Sequence, residues 1–361
     1  MHTFDLTCSI SESMFRRLLN IPGMKQVSEK ACKTFYYSSK GFNEITLYVY
    51  RFKDKSCGSM VERYYLFLRC NLSVIMGESK TFALNLDGYT LSGLVNGIQK
   101  RLYEVNEFRF LNLHKTDIAL WRTDRVDIAA DIHVENPELL VYMLNMAFPY
   151  KKFNMQPYES SKGGVQKTES CYFKSKSRRI NIYRKLPEME THGAVSVEER
   201  ETLGSLVRVE IQVGKRAIYN MKGLPEDKRN LENFLKPDFT RGYLEKNIRD
   251  IFGSVKFVSM TAAENIINKS GYRTETKMVL CSVIRQIHQY GSLYELQRCI
   301  EDVNFTPAAY GDKTKFKRLL KKITDLGIHP ATIPDESAVG SSLEVPGIYG
   351  LLQQTGRNSN V

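Results

Sequence analysis

The stretch Arg125-Val-Asp-Ile-Ala-Ala-Asp-Ile-His-Val134 sets how the rest of the chain is read. Val126, Ile128, Ala130 and Ile132 occupy one set of alternate positions, and Arg125, Asp127, Asp131 and His133 the other. Successive side chains of an extended chain point to opposite faces, so this is a strand with one apolar and one polar face. Asn136-Pro137 then opens a helix over Glu138 to Met146, with proline in its first turn.

Upstream, Glu44-Ile-Thr-Leu-Tyr-Val-Tyr50 and Tyr64-Tyr-Leu-Phe-Leu-Arg-Cys70 are rich in β-branched and aromatic residues and predict strands. Leu94, Val95, Ile98 and Leu102 recur at helical spacing and predict a helix from Ser92 to Tyr103. Downstream, a polar stretch (Tyr158 to Glu169) leads into Cys171-Tyr-Phe-Lys and Arg179-Ile-Asn-Ile-Tyr-Arg184. An acidic linker, Glu188 to Glu201, precedes the strand Leu206-Val-Arg-Val-Glu-Ile-Gln-Val213. After Lys215 the pattern turns helical over Lys277 to Tyr290, Leu293 to Glu301 and Asp312 to Leu326, the last stopped by Gly327.

The expected class is therefore α+β: a mixed or antiparallel sheet with helices on one face, over residues 1–215. A mainly helical part, 216–330, and a disordered tail rich in Ser, Gly, Pro and Asn, 331–361, complete it.

The chain has 361 residues, 42% apolar and 25% charged, which excludes collagen, a wholly disordered chain and a small disulfide scaffold. No apolar run reaches the roughly 18 residues of a membrane span. Met1-His2-Thr3-Phe4-Asp5 lacks the basic start and apolar run of a signal peptide, so a soluble cytoplasmic protein is expected. Seven scattered cysteines without a C-x-x-C pair argue against zinc or a disulfide framework and for reduced thiols. A net charge of +12 favours a polyanionic partner, nucleic acid first.

Two further strands carry the same alternation. Ile180 and Ile182 oppose Arg179, Asn181, Tyr183 and Lys185; Val207, Val209, Ile211 and Val213 oppose Arg208, Glu210 and Gln212. Each polar face is either the solvated outside of a half-buried sheet or, with the strands as neighbours, one surface suited to phosphodiester chemistry. Asp127 and Glu210, with Asp131 in reserve, offer the hard oxygens that Mg²⁺ or Mn²⁺ prefers, or Asp127 simply pairs with Arg125. His133 is a supplementary ligand or a plain surface histidine. Tyr183 offers a nucleophile. Only ~10⁻³ of a tyrosine is phenolate at pH 7, so making that ionisation free is worth about 4 kcal/mol, and neighbouring Arg179, Arg184 and Lys185 favour it. Tyr172 and Tyr219 are alternatives.

Between Lys151 and Lys185 ten basic residues, among them Lys174, Lys176, Arg178, Arg179, Arg184 and Lys185, face only Glu159 and Glu169. Phe153, Tyr158, Tyr172 and Phe173 are interleaved with them, as in a single-strand surface of cations for phosphates and rings for bases. The last predicted helix, with Lys315, Lys317, Arg318, Lys321 and Lys322 against Phe316, Leu319, Leu320 and Ile323, suits a second duplex contact, a packing helix, or both. A G-x-x-x-x-G-K-[ST] loop is absent, which argues against ATP-driven unwinding.

Arg125-Val-Asp127, Arg179-Ile-Asn-Ile-Tyr-Arg-Lys185 and Ser205-Leu-Val-Arg-Val-Glu210 resemble, in order and spacing, the replication initiators of filamentous phages, the gene II/X family. Lys215-Arg-Ala-Ile-Tyr-Asn-Met-Lys-Gly-Leu-Pro225 and Lys315-Phe-Lys-Arg-Leu-Leu-Lys-Lys-Ile-Thr-Asp-Leu-Gly-Ile328 look like that family's basic stretch and closing helix. Size and N-terminal region look most like the replication proteins of Vibrio filamentous phages. The resemblance implies a strand-specific nickase in a bacterial cytoplasm. A tyrosine, falling on Tyr183, cuts the plus-strand origin, is left linked to the 5′ end, frees a 3′-OH for the host polymerase, and later rejoins the displaced strand. It implies double- and single-stranded origin DNA as partners, contacted by Arg208, Lys215 and Arg216 besides the basic run, with a host helicase and several protein copies at the origin. No His-hydrophobic-His pair is present, so any metal site must be built on carboxylates. A non-catalytic, sequence-specific DNA-binding regulator of replication is the rival reading.

Overall fold

Strand β6, Arg122–His133, carries the apolar and polar alternation of its sequence: Val126, Ile128 and Ile132 are buried on its apolar side. The structure, a computed structural model, describes residues 2–21, 23–34, 41–79, 81–84, 86, 88–104, 121–147, 154–155, 169–176, 178–221, 224, 227–252, 255–301, 313–335 and 342–344. The fold is α+β, as expected. The strands before β6 are β1 (Thr3–Ile10), β2 (Lys25–Ser28), β3 (Ala31–Thr34), β4 (Phe42–Lys53) and β5 (Met60–Asn71). Those after it are β7 (Asn154–Met155), β8 (Ser170–Lys174), β9 (Arg178–Arg184), β10 (Leu206–Gly214), β11 (Lys256–Val258) and β12 (Ser342–Glu344).

The helices of the first half are α1 (Glu12–Leu18), α2 (Leu72–Met76), α3 (Leu91–Tyr103) and α4 (Pro137–Ala147). Then come α5 (Lys185–His192), α6 (Val197–Gly204), α7 (Lys215–Tyr219), α8 (Pro237–Phe252), α9 (Met260–Lys269), α10 (Thr274–Gln289), α11 (Leu293–Glu301) and α12 (Lys313–Thr324). Two compact units result, residues 1–130 with 210–242, and residues 131–209 with 243–361. Neither is a continuous stretch, whereas the sequence reading draws its boundary at residue 215. Among the described residues no helix is long and apolar enough to cross a membrane.

In the first unit the strands are ordered β2-β3-β4-β5-β1-β6-β10. The long hairpin β4–β5 pairs antiparallel, and Phe4, Leu6, Phe42, Ile45, Leu47, Leu66 and Leu68 form its buried core. Helix α2 packs against β5 and α3 against α2. Thr90 caps α3 by accepting from the Gly93 N–H, and the stripe Leu94, Val95, Ile98 and Leu102 is buried as its spacing predicts. Gly41 leads into β4 with φ +88°, and a Cβ there would lie 2.6 Å from Ile75 Cγ1, so only glycine fits without movement.

In the second unit β10, β9, β8 and β7 are neighbours in that order, with α4 against β8 and β9. The stretch read as an acidic linker is helical. Helix α5 packs on β9 and α6 on α5, and α6 starts at a capping box: Ser196 Oγ accepts from Glu199 N–H while Glu199 accepts from Ser196 N–H. Helices α9 to α12 follow, α10 to α12 close to the predicted spans and α9 without one, with Gly327 at φ +81° just beyond the last. Phe316, Leu319 and Ile323 of α12 are buried while Lys315, Lys317, Arg318 and Lys321 are exposed, the packing reading of that helix with its basic face outward. The tail does not begin at 331: Ala331, Thr332 and Ile333 are buried and Ile333 bridges to Ser259, because these small and branched residues close the end of the α9–α12 cluster.

Candidate functional site

In the second unit β9 delivers Tyr183 at its end, and Ile180 and Ile182, 0% and 1% exposed, fix which way it faces. Arg208, on the first half of β10, is wholly buried and donates Nε to Asp131 Oδ1 at 2.6 Å and Nη2 to Oδ2 at 2.8 Å. The Tyr183 side chain lies near the same guanidinium and adds to the hold on its charge. Burial works against its charge, but the Asp131 fork and the tyrosine oxygen outweigh that and hold Arg208 protonated beyond the ordinary arginine range.

Lys185 opens α5 and is buried at 3% exposure, its Nζ 2.7 Å from Glu188 Oε2. Burial, then the nearby Arg208, push its ammonium below the usual lysine range, against the pull of Glu188. Tyr183, Arg208, Asp131, Lys185 and Glu188 thus form one connected polar cluster. On the polar faces of the two strands Lys185 and Arg208 are buried, Asn181 and Tyr183 are half-buried, and Arg179 is exposed. Helix α5, missed in the sequence, is what brings Glu188 in.

Of the predicted DNA contacts, Arg208 and Lys185 are spent inside this cluster, and Arg184 pairs with Glu138 at 2.7 Å. Arg178 donates to Asn247 Oδ1 at 2.6 Å. Lys174, Lys176 and Arg179 lie at or beside the β8–β9 turn, exposed and in no ion pair among the described residues. Tyr172 stands opposite Asn181 in that hairpin, and Ser170 opposite Tyr183, so both tyrosines lie on the face away from Ile180 and Ile182. Lys215 and Arg216 are exposed on α7 of the first unit. Lys151, Lys152, Phe153, Tyr158, Glu159, Lys162 and Lys167 lie outside the described residues.

Asp127 belongs to the first unit. It is 1% exposed and takes both nitrogens of an Arg125 fork, at 2.8 and 2.5 Å. The strand register places Glu44, Arg69, Asp5 and Arg125 in one row across β4, β5, β1 and β6, with alternating sign. Arg69 joins Asp5 at 2.9 Å and Glu44 at 2.9 Å. Burial raises the Asp127 carboxyl above its ordinary value, and the Arg125 fork opposes the shift. Glu210 is also in this unit and buried, at 7% exposure.

A divalent ion needs several converging oxygens. Among the described residues no three His, Cys, Asp or Glu side chains form a metal-binding group. Both oxygens of Asp127 accept from Arg125 and both of Asp131 from Arg208, so an ion on either carboxylate would share it with a guanidinium. His133 is exposed, with Nδ1 2.9 Å from Ser205 Oγ, in keeping with a surface histidine. No family model matches the chain, and no curated protein matches it.

Proposed function

We propose that the chain is a DNA nicking-joining endonuclease that initiates rolling-circle replication, with Tyr183 as its nucleophile. The observation that carries this reading is the buried Arg208, locked by Asp131 and set beside the Tyr183 side chain. A guanidinium donating to a phenolic oxygen stabilises the charge that develops as the O–H is lost. The phenolic oxygen attacks the scissile phosphorus, the P–O3′ bond breaks, and a 5′-phosphotyrosine forms. The proton lost by the phenol is balanced by the one gained at the departing 3′-oxygen, so no co-reactant is consumed and the reverse step rejoins the strand. Lys174, Lys176 and Arg179 supply exposed charge for the phosphates flanking the cut. Origin DNA, a host helicase and polymerase, and a bacterial cytoplasm belong to this reading through the sequence resemblance.

A non-cleaving, sequence-specific DNA-binding regulator is the second reading. What favours it is that the carboxylates of Asp127 and Asp131 are both held in arginine forks. The test is incubation with supercoiled DNA carrying the origin of the encoding genome, in Mg²⁺. The endonuclease yields open circles and DNA that stays protein-bound in denaturant. Tyr183→Phe abolishes both and keeps salt-dependent binding. Normal cutting by that variant removes the assignment.

A further inference from the structure

The first unit holds a cleft of about 1000 Å³ that the proposed chemistry does not use. Its lining alternates rings and cations. Tyr48, Tyr50, Tyr65 and Trp121 supply the rings. Tyr48 and Tyr65 stack at 5.0 Å with planes 16° apart, and Tyr50 is 58% exposed. Arg63, Arg122, Lys215 and Arg229 supply four cations against one carboxylate, Asp124. Asp124 is already taken by Arg229 and by the Thr7 hydroxyl at 2.6 Å. Arg63, Arg122 and Lys215 are exposed and in no ion pair among the described residues.

We infer that this cleft binds a stretch of unpaired DNA, bases against the tyrosines and phosphates against Arg63, Arg122 and Lys215. An aromatic at a strand surface, more than half exposed, is poorly explained by packing, whereas every base has a face on which such a ring stacks. Cations in no ion pair among the described residues, beside stacked rings, answer the two parts of a nucleotide; Arg63 also lies 5.0 Å over the Phe52 ring. A duplex offers its phosphates but keeps its bases stacked inside, so it leaves the rings unused. Only the choice of DNA over RNA rests on the nicking reading; the single-strand chemistry stands without it.

Trp121 is the only tryptophan in the chain and lines the cleft, so its emission reports on this site alone. The full-length protein is titrated with oligo(dT), a duplex of equal length, oligo(U) and dTMP, and binding is followed in parallel by anisotropy of labelled oligo(dT). Oligo(dT) quenches Trp121 saturably and binds tighter than duplex or dTMP. Tyr50→Ala weakens it by about fivefold or more, and Arg63→Ala and Lys215→Ala each lower the log–log salt slope by about 0.7, with unchanged melting curves. Oligo(dT) that binds without altering Trp121, a duplex or dTMP that matches it, or wild-type affinity in Tyr50→Ala overturns the cleft. Oligo(U) binding as tightly overturns the choice of DNA. Quenching by a protein that never cuts supercoiled DNA sinks the nickase and leaves the cleft; cutting without quenching does the reverse.

Discussion

Removing Asp131 separates the structural share of the Tyr183 cluster from its chemical share. Arg208 is 0% exposed and Asp131 11%, so Asp131→Ala leaves a guanidinium inside the protein without the carboxylate that receives two of its nitrogens. Breaking a buried pair from one side costs about 3–5 kcal/mol, because the remaining charge is neither hydrated nor balanced. Replacing both partners with apolar residues of similar volume is often neutral. Urea unfolding of Asp131→Ala, Arg208→Met and the double variant therefore shows two destabilised proteins and a third restored to within about 1 kcal/mol of wild type. Nicking behaves differently. The double variant folds but has no guanidinium beside Tyr183, so its single-turnover cleavage falls by roughly 10²–10³, the usual loss for one charge-stabilising donor. A double variant that regains stability and cuts at the wild-type rate refutes the role given to Arg208. Single variants that each lose under about 1 kcal/mol refute the burial argument itself.

His329 is fully buried against Phe257, accepts the Ala331 N–H at Nδ1, and is held down to about 3 by burial. A depressed folded value means its stabilising share is complete above the ordinary histidine value of about 6.5 and is lost as pH falls towards 3. At pH 4.5 the loss is about 3 kcal/mol, and His329→Gln removes that part of the slope in urea melts compared at pH 7 and 4.5; an unaltered slope means the ring is not buried as described. Asp127→Asn strands Arg125 and destabilises by about 3 kcal/mol, while the Mg²⁺ and Mn²⁺ dependence of nicking stays as in wild type; a shifted metal titration would make Asp127 a ligand after all. Gly41→Ala, at φ +88° and against Ile75, lowers stability by more than about 1 kcal/mol, and a melting temperature equal to wild type contradicts the tight approach.

Local periodicity made β6, α3, α4 and α10 to α12 legible, since each buries a stripe or alternate face of its own residues. The 188–201 stretch failed for a traceable reason. Its apolar residues are few, so α5 and α6 owe their helicity to packing on β9 and on each other, which no local count detects. The Ser196-Val-Glu-Glu199 capping box was the one available signal. Burial of 331–333 was equally hidden, because three residues are too few to show a period.

Alternation says which side chains share a face, not whether that face is wet, and the candidate site turns on this difference. Arg125 and Asp127 lie two apart on one strand, so their pairing was readable beforehand. Arg208 and Asp131 are 77 residues apart, and Asp5 and Arg69 are 64 apart, so those pairs exist only once register is set by the fold. On an exposed face Arg208 would be one more phosphate contact in a basic protein. Enclosed at 0% exposure, its charge cannot be shared with water and is met by the two Asp131 oxygens, with Tyr183 beside them. Burial thus turns an ordinary basic residue into a fixed neighbour of the tyrosine, and it does so through the strand register, which sequence patterning alone conceals.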